Sequence, residues 1–186
     1  ENGTNIYLSF EEELIDSTKV LDNNFKFQTK LQKSPMQVIL RTKDYSHYRF
    51  LWLENKPMEF NASKTDFRNA KVTGSETEQL SEILRQKIDT IPRSKRHKYR
   101  IEFIRSNPEK LFSAYLLSFY TKTWGKEKTI ELFNQLSEGN KNSEYGEKIS
   151  KYIKLNKDPK IGERFVDFEM EDTNGELRRL SDFNGK

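Results

Sequence analysis

The stretch Gly74-Ser75-Glu76-Thr77-Glu78-Gln79-Leu80-Ser81-Glu82-Ile83-Leu84-Arg85-Gln86-Lys87-Ile88-Asp89-Thr90-Ile91 is where the apolar period of this chain changes. Leu80, Ile83, Leu84, Ile88 and Ile91 lie at i, i+3, i+4, i+8 and i+11, which is one face of an α-helix. Ser75 followed three residues later by Glu78 has the spacing of a capping box at the helix start. Upstream the period is two. Ile6, Leu8 and Phe10 alternate with Tyr7 and Ser9, and Leu14 to Val20 forms a second run. Asp22-Asn23-Asn24 is a turn cluster, and Phe25 and Phe27 then alternate with Lys26 and Gln28. Pro35 introduces Met36 to Leu40. Tyr48 to Leu53 is nearly continuously apolar, as for a strand covered on both faces. Met58 to Asn61 and Ala70 to Thr73 close the set, with strands and turn signals in the rhythm of a sandwich or barrel.

Downstream the helical period persists. A second helix is expected to turn Tyr99, Phe103 and Ile104 inward. Asn107-Pro108 suits the start of a third, because Asn caps well and Pro is tolerated at the first helical position. That helix would bury Leu111, Phe112, Tyr115, Leu116 and Phe119. A fourth would carry Ile130, Phe133 and Leu136 and stop at Gly139. A fifth would start near Ser143 and bury Ile149, Tyr152 and Ile153. Asn156-Lys157-Asp158-Pro159 reads as a linker. The expected class is α+β. An antiparallel β-sandwich-like module (residues 1–74) is followed by a small helical module (75–157), then by a linker and hairpin unit (158–186). The apolar face of the first helix needs a partner surface, so the helices are expected to pack on the β unit.

Composition narrows the classes. The chain has 186 residues, 33% charged and 33% hydrophobic, with 13 Phe and 8 Tyr. So aromatic a chain is expected to fold. No run of 18 apolar residues suggests a membrane span. There is no cysteine, which excludes zinc–thiolate sites and any thiol chemistry by these residues. The formal net charge is +4. The excess of Lys and Arg falls in the middle third, and the tail is acidic.

No catalytic, cofactor-binding or metal-binding residue can be assigned from the sequence. Arg93, Lys95, Arg96, Lys98 and Arg100 surround His97 and Tyr99. Such a run can bind phosphate backbones, but on a helix it reads as a solvated face with Tyr99 packed inward. His47 and His97 have no carboxylate at metal-ligand spacing. Glu11-Glu12-Glu13 reads as a charged loop between strands, because acid/base catalysis needs carboxylates in different environments. Trp52 and Trp124, with Tyr45, Tyr48 and Tyr120, could line an apolar pocket but are first of all packing material. Asn2-Gly3-Thr4 and Asn61-Ala62-Ser63 match a glycosylation sequon by spacing only.

Asp167 to Leu180 has the pattern of a hairpin around Asn174-Gly175, whose central residues would both take positive φ. Leu180-Ser181-Asp182-Phe183-Asn184-Gly185-Lys186 follows. Together these resemble the opening of thioredoxin-like domains in peroxiredoxins and thiol–disulfide oxidoreductases. Phe165-Val166 stands where that pattern has Ala-Pro. Leu14 to Val20 with Phe25-Lys26-Phe27, then Leu51-Trp52-Leu53-Glu54, Val72-Thr73-Gly74-Ser75 and Phe103-Ile104 before Asn107-Pro108, are similar to a β-rich domain of unknown function. That domain precedes thioredoxin-like domains in proteins of Bacteroidota. The resemblance implies a non-catalytic recognition or dimerisation region of an extracytoplasmic oxidoreductase, in the periplasm or cell envelope, with the redox pair beyond Lys186. Its partners would be protein or peptide substrates and a second copy. Nucleic acid is not expected, nor is a cofactor, and membrane attachment would come only through a removed leader or lipid anchor. A free-standing module binding a peptide or cell-envelope ligand, and a structural spacer, are the alternatives. With no thioredoxin sheet to join, the apolar tail residues are expected to rest on the helical module or on a neighbouring molecule's sheet edge.

Overall fold

The structure is a computed structural model, and it describes residues 2–11, 13–155, 165 and 167–185. Four antiparallel strands form the main sheet: β1 (Asn5–Phe10), β2 (Glu13–Lys19), β3 (Met36–Arg41) and β4 (Tyr48–Leu53), in the order β2-β1-β3-β4. Two short strands, β5 (Glu59–Asn61) and β6 (Lys71–Thr73), pair as a separate hairpin. The class is α+β. The layer over the main sheet is therefore a hairpin and an extended segment, not a second full sheet.

Period-two geometry gives the sheet two faces. One carries Ile6, Leu8, Val38, Leu40 and Leu51, with Phe25, Phe27, Met58, Phe60 and Phe67 packed on them. The other carries Ser9, Gln37, Ile39, Phe50 and Trp52, and it faces the helices. β4 is covered on both faces only near Leu51 and Trp52. Tyr48 and Phe50 are exposed. Phe25 and Phe27 do alternate, yet residues 25–30 pair with no strand. Their backbone is tied through side chains instead. Thr29 donates to Asp16, and Asn55 receives the Leu31 amide at 2.8 Å and donates to its carbonyl at 2.9 Å.

The helices are α1 (Glu76–Thr90), α2 (Arg96–Ser106), α3 (Leu111–Gln135), α4 (Glu138–Lys141) and α5 (Glu144–Leu155). Their core holds Leu84, Ile88, Ile104, Phe112, Leu117, Leu132 and Ile149, and β4 contributes Trp52 to it. Trp52 is fully buried, edge-on to Tyr115 at 5.0 Å and to Phe112 at 6.0 Å. A buried indole removes on the order of 200 Å² from water, about 5 kcal/mol at roughly 25 cal/mol/Å². This single residue joins sheet and helices through a common core.

The start of α1 differs from the expected capping box. Ser75 accepts from the Glu78 amide at 3.0 Å, which is half of the box. The Glu78 carboxylate does not reach back to Ser75. It accepts from the Trp52 amide at 2.9 Å and from Arg49 at 2.7 Å. The edge strand β4 has an outward N–H that needs a partner, and Glu78 provides it. Glu54, just past the end of β4, binds the first turn of the helix in another way. Its carboxylate accepts from the Ser75 hydroxyl at 2.8 Å and the Thr77 amide at 3.0 Å. Sheet and helix thus exchange carboxylates.

Other helix boundaries also shift. Asn107 closes α2 by donating to the Phe103 carbonyl at 2.9 Å, so it does not cap α3, which starts three residues after Pro108. The third and fourth expected helices are the two halves of α3, separated at Gly125, whose φ of 76° and ψ of 172° are not helical. Ser137 caps the short α4, so Gly139 lies inside a helix and ends none. Phe119 and Ile83 point to solvent, 68% and 58% exposed. Buried Asn140 stitches the turn before α3 by donating to the carbonyls of Pro108 at 2.8 Å and Lys110 at 3.0 Å.

The tail hairpin forms as β7 (Glu169–Glu171) and β8 (Leu177–Arg179). Of Asn174 and Gly175 only the glycine takes positive φ, 79°. Asp172 accepts from the amides of Asn174 and Glu176 and so holds the loop from inside. Asp167 accepts from the Ser181 amide at 2.8 Å and hydroxyl at 2.7 Å, which fastens the base of the hairpin. Of the two supports expected for the tail's apolar residues, the helical module provides little cover among the described residues. Phe168, Met170 and Leu177 are more than half exposed, and the hairpin packs chiefly on itself. These polar clamps supply what a lone hairpin lacks in buried surface. The linker residues 156–159, and Val166, lie outside the described residues.

Candidate functional site

A large concavity lies on the sheet face turned away from the helices. Its floor is Ile6, Leu8, Leu40 and Leu51, and its walls are the extended segment with Phe25 and Phe27 and the hairpin region with Phe60 and Phe67. The groove encloses about 1610 Å³. That exceeds the roughly 300–1,000 Å³ of small-molecule pockets, and suits an extended ligand. The aromatic walls are braced ring to ring. Phe25 meets Phe27 at 5.9 Å and Phe60 at 6.0 Å, and Phe60 meets Phe67 at 5.0 Å.

One end of the groove is polar. The β3–β4 loop is organised by Asp44, which accepts from the Thr42 hydroxyl at 2.7 Å and from the Ser46 hydroxyl at 2.8 Å. The Thr42 bond, then those from Ser46, hold its pKa down to about 2. His47 meets Ser46 through Nδ1 at 3.0 Å and lies edge-on to Phe67 at 5.8 Å. The other end carries Glu54. Burial opposes its ionisation, but bonds from Lys56, Thr77 and Ser75 outweigh this and lower its pKa to about 2. Both carboxylates are engaged in holding loops. The floor residues are buried beneath the aromatic side chains, so the groups that face the concavity are the rings and the rim hydroxyls and amides.

The sequence candidates are not brought together. Trp52 is core. Trp124 stacks on Tyr120 at 4.8 Å, and its indole N–H donates to His97 at 3.2 Å. Tyr45 lies under the Arg41 guanidinium at 4.3 Å, and Tyr48 under that of Arg68 at 5.8 Å. Arg93, Lys95 and Lys98 are exposed, while Tyr99 is half-buried against the helical core. Glu11 sits in the β1–β2 turn with φ 53° and Glu13 begins β2, while Glu12 lies outside the described residues. His47 and His97 stand apart, and among the described residues no group of His, Asp and Glu could hold a metal ion. The groove aromatics were missed as a site. Their signal was the Phe25-Lys26-Phe27 alternation, which reads as a strand.

The groove falls wholly within the N-terminal region. Residues 1–80 match the model of a family described as Domain of unknown function (DUF4369). The match supports an N-terminal domain of unknown function, and it spans the main sheet, the β5–β6 hairpin and the start of α1. No curated protein and no solved structure matches the chain. The DUF4369 match thus brings no assigned residue with it, and the geometry of the groove is the guide to its use.

Proposed function

We propose that this chain is the recognition region of an extracytoplasmic thioredoxin-like thiol–disulfide oxidoreductase, and that the groove holds the polypeptide to be reduced. The observation that carries the recognition role is the concavity itself, about 1610 Å³ in volume with aromatic walls and a polar rim. The redox setting is supported by the resemblance of Asp167-Phe168, Asn174-Gly175 and Leu180-Ser181-Asp182-Phe183 to the opening of a thioredoxin-like domain. In such chemistry a thiolate attacks a disulfide sulfur and a second thiol resolves the mixed disulfide. Residues 1–186 contain no cysteine, so those thiols belong to sequence outside them.

The test compares the chain alone with the chain extended through the thioredoxin-like domain. The chain alone is expected to leave insulin disulfides intact. The extended protein is expected to reduce them, and Phe27→Ser with Phe60→Ser is expected to raise KM for insulin several-fold. Reduction of a small aromatic disulfide would be unchanged in that variant. An unchanged KM for insulin would refute groove recognition, and an inactive extended protein would remove the redox reading. In that last case the groove, complete within residues 4–72, favours a free-standing binding module for a peptide or cell-envelope ligand.

A further inference from the structure

A second, smaller cleft of about 260 Å³ lies on the opposite sheet face, between β1, β3 and β4 on one side and α3 and α5 on the other. Its apolar walls are Ile39, Phe50, Tyr115 and Tyr145. Phe50 is 56% exposed at the mouth. Ser9 also lines the cleft. It is only 2% exposed, and its hydroxyl has no hydrogen-bond partner. Buried hydroxyls are almost always bonded, so this one is poised for a group that enters the cleft.

The other polar groups show what that group is. Gln37 accepts from the Tyr115 hydroxyl at 3.2 Å through its carbonyl oxygen, which leaves its NH2 donors for the cleft. The Lys148 ammonium stands 5.6 Å from the Tyr145 ring centre and forms no ion pair with a described residue. Two carboxylates also line the cleft. Glu144 is bound by Lys33 at 2.7 Å, so its charge is met, and Glu11 is exposed at the rim. The uncommitted groups are therefore a hydroxyl, an amide NH2 and an ammonium. Together these form a donor set for an anion beside apolar walls. We infer that this cleft binds a small carboxylate with an apolar or aromatic body, about the size of one amino acid. This site is separate from the groove, and either can fail alone.

The probe is 3-phenylpropionate, titrated into the full chain and followed by amide shifts in nuclear magnetic resonance spectra. Phenethylamine, with the same body and no carboxylate, is the control. Saturable shifts are expected at Ser9, Gln37, Phe50 and Lys148, with a change in Trp52 fluorescence transmitted through Tyr115. Lys148→Gln and Ser9→Ala are expected to weaken binding about tenfold each, the usual effect of losing a hydrogen bond to a charged group. Lys148 is exposed, so its variant tests the proposal even where Ser9→Ala disturbs folding. The proposal is overturned by the absence of saturable shifts. Equal binding of phenethylamine, shifts confined to Phe27 and Phe60, or an unchanged affinity in Lys148→Gln would overturn it as well.

Discussion

Replacing Glu78 by alanine tests how sheet and helices are joined. Glu78 is 4% exposed, and its carboxylate serves two buried donors, the Trp52 amide and the Arg49 guanidinium. Truncation leaves the Trp52 N–H without a partner, which costs about 1–3 kcal/mol. It also unpairs Arg49, itself 8% exposed. Removing one member of a buried ion pair typically costs about 3–5 kcal/mol. Arg49 keeps some support, because Glu82 lies 3.5 Å from it and the carbonyls of Ala70 and Arg68 accept from it. The two losses share one side chain and do not add. The expected cost is therefore about 3–4 kcal/mol, a large part of the roughly 5–15 kcal/mol that holds a domain folded. For a chain of this length that lowers Tm by about 6–16 °C. Glu78→Gln keeps an acceptor for Trp52 and loses only the charge, so it should cost distinctly less. The assay is urea unfolding, read by Trp fluorescence and by far-ultraviolet circular dichroism. A cost below about 1 kcal/mol for Glu78→Ala, or equal costs for the two variants, would refute the argument that this carboxylate completes the sheet edge.

Two further outcomes follow from the same junction and from the helical turn. Glu54 has a folded pKa of about 2 against an ordinary 4.5, so its stabilising effect is complete above pH 4.5 and is lost as pH falls toward 2. Glu54→Gln should flatten the acid limb of the stability curve in that window and leave the slope near neutral pH alone, as measured by urea midpoints against pH. Asn140→Ala removes the donor to the Pro108 and Lys110 carbonyls and should cost about 1–3 kcal/mol in thermal or urea unfolding. A loss within about 0.5 kcal/mol would show that water replaces the amide there.

Local signals in the sequence were legible wherever one element decides its own form. The change of period at Gly74-Ser75 marks the real passage from sheet to helix, because burial of one face fixes the period in each. The faces of α2 and α5 follow for the same reason, as does that of α1 apart from the exposed Ile83, and so does the turn at Gly175. What the sequence could not show depends on distant partners. Ser75 and Glu78 have capping-box spacing, but a strand edge 26 residues upstream competes for Glu78 through the Trp52 amide. Asn107 can cap a helix at either end, and local composition does not say which. The cleft brings Ser9 and Gln37 from the sheet to Tyr115 and Tyr145 from the helices. None of these carries a motif. Trp52 reads from the sequence as packing material and is the shared core, but its place between sheet and helices depends on distant partners.

The groove owes its existence to a segment that looks like a strand and is not one. A strand at Phe25 to Leu31 paired into the sheet would lie beside its neighbour, about 4.8 Å away in the plane of the sheet, and could not cover Ile6 and Leu8 as the unpaired segment does. The segment is held instead by Asp16 to Thr29 and by Asn55 to Leu31, side-chain clamps at positions 29 and 31. Their lengths, not a ladder, set how far the Phe25 and Phe27 rings stand from the floor. The opposite wall is tied to its own hairpin, where Phe60 pairs with Val72. The two walls therefore meet through ring contacts such as Phe25 on Phe60, without a backbone hydrogen bond between β5 and the segment. Contacts of that kind set no register, because dispersion is spread over many weak pairs and has no preferred direction. A backbone ladder would impose one. The two walls thus close over Ile6 and Leu8, which are 2% and 3% exposed, as a roof of rings and not as a second ladder, with the segment tied by two polar clamps.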